Sequence, residues 1–319
     1  MSTAGGGPWP KVAVFGAGAV GCYYGGMLAR AGAPVTLVGR RAHVEALRRE
    51  GALLFEAHGS LERVPVAAST EAAGVAGASC VLFCVKSGDT EGGARAIGPH
   101  LARDATVVSL QNGVDNAARI APLVDAPVIA AVVYVGCEMA GPGHVRHMGR
   151  GELVVGARGS AARGAQRATT VSALFARAGV PCRVTDNVDG ELWGKLIINC
   201  AYNALCALSR LPYGPMIGSP WSREVMPQVV AEALAVARAE GVQLESDGLL
   251  ERVLAIGAAM PGQFSSTAQD IGLGKPTEID ALNGYVARRG AALGVAAPVN
   301  RTLHALVKLL ELGTAKPGS

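Results

Sequence analysis

Hydrophobic positions along this chain follow two rhythms. Through the first half, apolar runs recur at intervals, and each ends in glycine or a small polar cluster: KVAVF (11–15), PVTLV (34–38), SCVLFCVK (79–86), ATVVSLQNG (105–113) and APVIAAVVYVG (126–136). Unbroken apolar runs rich in valine and bounded by turn residues predict strands buried on both faces, as in a parallel sheet covered by helices. CYYGGMLARAG, after the first run, predicts a helix stopped by Gly32. HVRHMGRGELVVG (144–156) reads as a hairpin or a pair of short antiparallel strands. After VPCRVTDNVDG (180–190) helical periods take over, predicting helices over 189–208, roughly 221–240 with Pro227 early in it, 246–258, 277–293 and 298–312. Thr277 with Asp280 resembles a capping box in which Asp replaces the usual Glu, and Pro298 suits a first turn. The change of rhythm puts a boundary near Asp186. Two domains are expected, 1–186 and 187–319, since 319 residues is long for a single core.

One predicted helix carries polar residues where its pattern should be apolar. In DGELWGKLIINCAYNALCAL (189–208), Lys195, Asn199 and Asn203 stand at i, i+4 and i+8. On an α-helix they fall within an arc of roughly 80° and line one face. A lysine held there is partly desolvated and poised to give up a proton, as a general acid must be. A row of structural hydrogen bonds between helices would satisfy the same pattern.

The first strand runs directly into G-x-G-x-x-G, with Gly16, Gly18 and Gly21 in register. Gly16 permits a tight turn, Gly18 lets backbone approach a pyrophosphate, and Gly21 lets the next helix pack closely, its N-terminus facing the phosphates. At the end of the second strand, where a site for NAD carries Asp or Glu, this chain has Gly39-Arg40-Arg41 and no acid until Glu45. A guanidinium can clamp a 2′-phosphate, so the expected cofactor is NADP(H), with Arg40 the principal contact. Lys86-Ser87 and Gln111-Asn112-Gly113 end two further strands, where open parallel sheets bind ligands, although an exposed strand end and an Asn-Gly turn would look the same. Ser266 fits an N-cap as well as a site residue, and Glu278 in a first helical turn is favoured by the helix dipole without any function. His144 and His147, three apart on a strand, point to opposite faces, which fails for a metal site.

Composition narrows the class. Half the residues are hydrophobic and 17% are charged, which excludes a disordered chain. A net charge of +4 without a basic block gives nothing for nucleic acid to bind. The apolar run from Ala126 to Cys137 is too short to span a bilayer, and MSTAGGGPWP has no basic or apolar signal region. Seven cysteines without a CxxC pair point to free thiols in a reducing, cytoplasmic setting, with Cys80 and Cys84 as small buried hydrophobes. A homodimer is left open.

Taken together, GAGAVG (16–21), CVK (84–86), LQNG (110–113), LWGKLIINCAYNAL (192–205) and SSTAQD…TEIDALNGY (265–285) resemble the ketopantoate reductase (2-dehydropantoate 2-reductase) family. The resemblance runs from about residue 11 to 310, in the family's motif order. It implies an α/β architecture in which an N-terminal Rossmann-type dinucleotide-binding domain precedes an all-α C-terminal domain, with the active site in the cleft between them. It implies NADPH-dependent reduction of the 2-oxo acid ketopantoate to (R)-pantoate, in pantothenate and coenzyme A biosynthesis. Gly16, Ala17, Gly18, Ala19, Val20 and Gly21 would cradle the pyrophosphate and Arg40 the 2′-phosphate, with Lys86 and Asn112 near the cofactor and the cleft. Lys195 would protonate the carbonyl oxygen, Asn199 and Asn203 would hold the substrate's polar groups, and Ser266 its carboxylate. Glu278 would contact the cofactor and tune Lys195. Where some family members carry another substrate-binding Asn, this chain has Tyr213, which leaves the substrate's distal end open. The alternatives are a reductase of another 2-oxo acid and an NADPH-binding sensor without turnover, although the sensor would have no need of Lys195.

Overall fold

The computed structural model describes residues 7–159 and 162–314. It divides into one unit reaching to Gln111 and resuming from Asp115 to Val188, and a second made of Asn112–Val114 and the chain from Asp189 onward. In the first unit one ten-stranded sheet is built from β1 (Val12–Phe15), β2 (Val35–Val38), β3 (Leu53–Ala57), β4 (Ser60–Val64), β5 (Ala67–Ser69), β6 (Cys80–Phe83), β7 (Thr106–Ser109), β8 (Val128–Gly141), β9 (His144–Gly156) and β10 (Cys182–Val184). The order is β4-β3-β9-β8-β7-β6-β1-β2-β5, with β10 beside β9. From β8 to β5 every pairing is parallel, the Rossmann-type portion. Its helices are α1 (Ala19–Arg30), α2 (Arg41–Glu50), α3 (Thr90–Ile97), α4 (Asn116–Ile120) and α5 (Ala162–Arg177).

The two faces of this sheet feed two cores. Val12, Val14, Leu37 and Leu82 point into one with Leu28 and Phe175, while Ala13, Val38, Val81 and Phe83 point into the other with Ile97 and Ile120. Coverage on both sides is why the strands read as unbroken apolar runs rather than alternating ones.

The segment 144–156 is not a hairpin by itself. It is the single strand β9, antiparallel to β8, with register shifts at Tyr134/Val135, Gly136/Cys137 and Met139/Gly141. Gly149, Arg150 and Gly151 all have positive φ (148°, 59° and 145°). The Gly-Arg-Gly stretch therefore bends one long strand at a bulge instead of turning between two short ones.

The second unit is helical: α6 (Val188–Ser209), α7 (Tyr213–Gly218), α8 (Pro220–Ala239), α9 (Leu249–Ala259), α10 (Ser266–Gly272), α11 (Asn283–Leu293) and α12 (Pro298–Thr314). Trp193, Leu196, Ile197, Cys200, Ala201 and Tyr202 of α6 are buried, so this helix is packed nearly all round. Three sequence expectations are corrected here. The helix expected over 277–293 starts at Asn283, after a 3₁₀ turn at Ile279–Ala281 and a break at Leu282 (φ −109°, ψ −109°). Thr277 forms no capping box, because no helix starts there: its hydroxyl accepts from Ile279 N at 3.2 Å, two residues on, and donates to Glu311. And Ser265, not Ser266, caps α10, its hydroxyl accepting from Ala268 N at 3.1 Å. Among the described residues, no helix is long and apolar enough to cross a membrane.

Candidate active site

In the first unit, the turn after β1 shows why each glycine of the motif is glycine. Gly16 has φ +109°, and a Cβ there would lie 2.6 Å from the Cys84 carbonyl carbon. A Cβ on Gly21 would overlap Gly16 O, so α1 could not pack so close. Gly39 plays the same part from the end of β2, since its Cβ would come 2.7 Å from that of Ala17. Gly18 differs: a Cβ there would meet nothing within 4 Å, so its open side is free for a ligand. Ala17 N and Gly16 N both bond to Val38 O, which ties the loop to β2. Ala19 and Val20 open α1, whose first turn has no acidic residue to compete with a bound anion. Arg40, exposed, stands at the N-cap of α2, whose first turn also lacks an acid. These residues fit a dinucleotide: bare backbone where a pyrophosphate would sit and a guanidinium just past β2.

Lys86, half-buried, caps a 3₁₀ turn at Ser87–Asp89 just beyond β6. Behind it lies a buried polar knot that sequence reading did not find. Gln111 Nε2 donates to Thr90 Oγ1 (2.8 Å), Thr90 Oγ1 lies 2.9 Å from Asn116 Oδ1, and Asn116 Nδ2 donates to Ser87 Oγ (3.2 Å). Arg119 adds a bond to Ser87 O and a two-pronged pairing with Glu91 at 2.8 and 2.7 Å. That pairing holds the Glu91 carboxyl down at about 2, against an opposing desolvation cost. Ser87 and Gln111 stood in suggestive strand-end clusters; Thr90, Glu91, Asn116 and Arg119 are single polar residues, and Asn116 lies 29 positions from Ser87.

In the second unit, the polar stripe of α6 meets side chains from distant positions. Lys195 Nζ donates to Asn112 Oδ1 at 3.0 Å, and Asn112 Nδ2 donates to Glu278 Oε2 at 3.1 Å. One carboxamide thus bridges an amine and a carboxylate, with each of its ends matched to the right partner. Two turns along the helix, Asn203, buried, donates to Ser266 Oγ at 3.4 Å, and its carbonyl accepts from Ser265 Oγ at 3.3 Å. Asn199 lies half-buried on α6 one turn from each. Glu278 is half-buried too, immediately before the 3₁₀ turn rather than in a helix's first turn. An ammonium has three donors, and Asn112 accepts from one of them. Tyr213 opens α7, its ring 4.4 Å from that of Tyr202, and burial pushes its hydroxyl pKa well up.

The cysteines carry no such chemistry. All seven are free thiols, and burial pushes Cys22 and Cys80 up to about 12. No group of three His, Cys, Asp or Glu is placed to hold a metal among the described residues. His144 meets Glu56 at 2.9 Å and His147 meets Arg150 O at 2.6 Å.

Two family models match the chain: ketopantoate reductase PanE/ApbA over residues 12–160 and ketopantoate reductase PanE/ApbA C terminal over 187–311. A 2-dehydropantoate 2-reductase of Halobacterium salinarum is 35% identical, covering 94% of this chain and 99% of that protein. One from Caulobacter vibrioides is 34% identical, covering 95% and 99%. The crystal structure of a PanE/ApbA family ketopantoate reductase from Ralstonia eutropha JMP134 superposes with a TM-score of 0.88 at 53% identity, over 95% of this chain and 99% of that one. A ternary structure of D-mandelate dehydrogenase with NADH and anilino(oxo)acetate shares the fold at a TM-score of 0.87 and 23% identity, over 95% and 99%.

Proposed function

Because the chain belongs to the ketopantoate reductase family, we propose that it reduces ketopantoate to (R)-pantoate with NADPH, a step of pantothenate and coenzyme A biosynthesis. In this reading residues 1–186 are the NADP-binding domain and 187–319 the substrate and catalytic domain, working in the cytoplasm on a small 2-oxo acid. The observation that carries it is the Lys195–Asn112–Glu278 chain of hydrogen bonds.

NADPH, when bound, supplies the hydride that turns the C2 ketone into an alcohol. Gly16 to Gly21 hold its pyrophosphate, Arg40 its 2′-phosphate, and Lys86 lies with them at the strand ends. Lys195 donates a proton to the carbonyl oxygen, where negative charge develops and a positive, proton-bearing neighbour is worth most. Asn112 accepts from Lys195 and so fixes the direction of its amine, while Glu278 fixes Asn112 and keeps negative charge near the ammonium. Asn199 and Asn203 bind the substrate's polar groups and Ser266 its carboxylate.

Tyr213 favours a second reading within the same chemistry. A phenol packed on Tyr202 does not offer what a carboxamide would, so a 2-oxo acid with a different distal group fits as a substrate. The test is NADPH oxidation at 340 nm with ketopantoate, beside NADH and a panel of 2-oxo acids. Turnover with ketopantoate and NADPH supports the first reading. Turnover only with another 2-oxo acid moves the assignment to the second, and tight NADPH binding without any turnover refutes both.

A further inference from the structure

Glu278 stands on a short segment with little regular structure. Residues 272–276 before it are exposed, and α11 begins only at Asn283. Polar side chains of α12 grip this segment on both sides of Glu278. Just before it, Glu311 Oε1 accepts from both the backbone N–H of Thr277 (2.8 Å) and its hydroxyl. Two residues after it, the Asp280 carboxylate meets His304 Nε2 at 2.6 Å and Lys308 Nζ at 3.0 Å. Lys308 closes the row on Glu311 Oε2 at 2.7 Å. His304, Lys308 and Glu311 follow i, i+4, i+7 spacing, one face of a helix. Gly284 of α11 makes room, since a Cβ there would come 2.8 Å from the His304 ring.

Separate exposed ion pairs contribute little to stability. A continuous row closing on the two residues that flank a single carboxylate does something more specific: it limits where that carboxylate can stand. We infer that Glu311 and Lys308, acting through Thr277 and Asp280, are positioning residues that hold Glu278 against Asn112 and thereby aim Lys195. Both ends of the row are held ionised. Burial works against it, yet the Lys308 and Thr277 bonds keep the Glu311 carboxyl below its ordinary value, and the His304 and Lys308 bonds do the same for Asp280.

The inference rests on the proposed role of Glu278, so its test reads the segment and the activity separately. Hydrogen–deuterium exchange over residues 277–282 of the full chain is compared between wild type, Glu311→Ala and Glu311→Gln, with Lys308→Met as a second lesion. Glu311→Ala should speed that exchange at least about 10-fold by loosening the segment locally, while Glu311→Gln, which keeps an acceptor for Thr277, should stay close to wild type. In the reductase assay Glu311→Ala should lower kcat about 10-fold, within the 10²-fold that a misplacement of about 1 Å can cost, with little change in KM. In a Glu278→Gln background the same change should cost almost nothing more, as expected of residues acting through one group. Unchanged exchange in both Glu311→Ala and Lys308→Met overturns the grip itself. Faster exchange with undiminished kcat overturns its part in the reaction, as does an equal loss in both backgrounds. If Glu278→Gln alone keeps full kcat, the role assigned to Glu278 fails, and this inference with it.

Discussion

Lys195 and Arg40 make opposite demands on their surroundings. Lys195 is half-buried on an apolar helix and donates to the Asn112 carboxamide, and in the proposed reaction it gives a proton to the carbonyl oxygen. Lys195→Ala should therefore cut kcat by roughly 10²–10⁴-fold, the usual contribution of a positioned acid, while NADPH still binds. Stopped-flow turnover with cofactor fluorescence separates the two, and retained turnover would remove Lys195 from the donor's role. Arg40 is exposed, and nothing acidic stands in the first turn of α2 behind it. Arg40→Asp should weaken NADPH by about 1.5–3 kcal/mol, the worth of a charged hydrogen bond, and spare NADH. Titration of both nucleotides checks this, and an unaltered preference would place the phosphate contact elsewhere.

The ends of β6 and β7 are joined by the Ser87–Thr90–Gln111–Asn116 knot, and α3 is tied to α4 by Glu91 and Arg119. With the Glu91 pKa depressed from 4.5 to about 2, this pair stabilises the fold above about pH 4.5 and loses its effect as the pH falls toward 2. Arg119→Met should thus lower the urea midpoint at pH 7, and its gap from wild type should narrow in acid. A gap as wide at pH 3 as at pH 7 would show that Arg119 works through Ser87 and Asn116 alone. Glu91 is 41% exposed, so solvent screening keeps the effect modest. Elements of this size also mark where local sequence misleads. Gly149-Arg150-Gly151 looks like a turn and is a bulge in β9, and Thr277 looks like a cap and is a ligand of Glu311. At Thr277 the partner lies 34 positions away, whereas at residues 149–151 it is the preceding strand β8.

Across the whole chain, the sequence by itself determined the class of architecture. Sheet coverage on both faces leaves unbroken apolar runs, helical packing leaves a period near 3.6, and both signals are local. It also determined the glycine turn, where at Gly16 and Gly21 only a residue without Cβ fits against Cys84 and Gly16 O, and the polar stripe of α6, because i, i+4 spacing is a property of one helix. The bulged pairing of β9 with the preceding β8, the small strands β3 to β5 and the helix α7 came from the tertiary structure, because bulges and short elements leave little periodicity to read. So did the partners of the stripe. That Asn112 stands between Lys195 and Glu278, 83 and 166 positions away, is written in no local pattern. A hydrogen bond needs two groups within about 3 Å, and only the folded chain sets that distance.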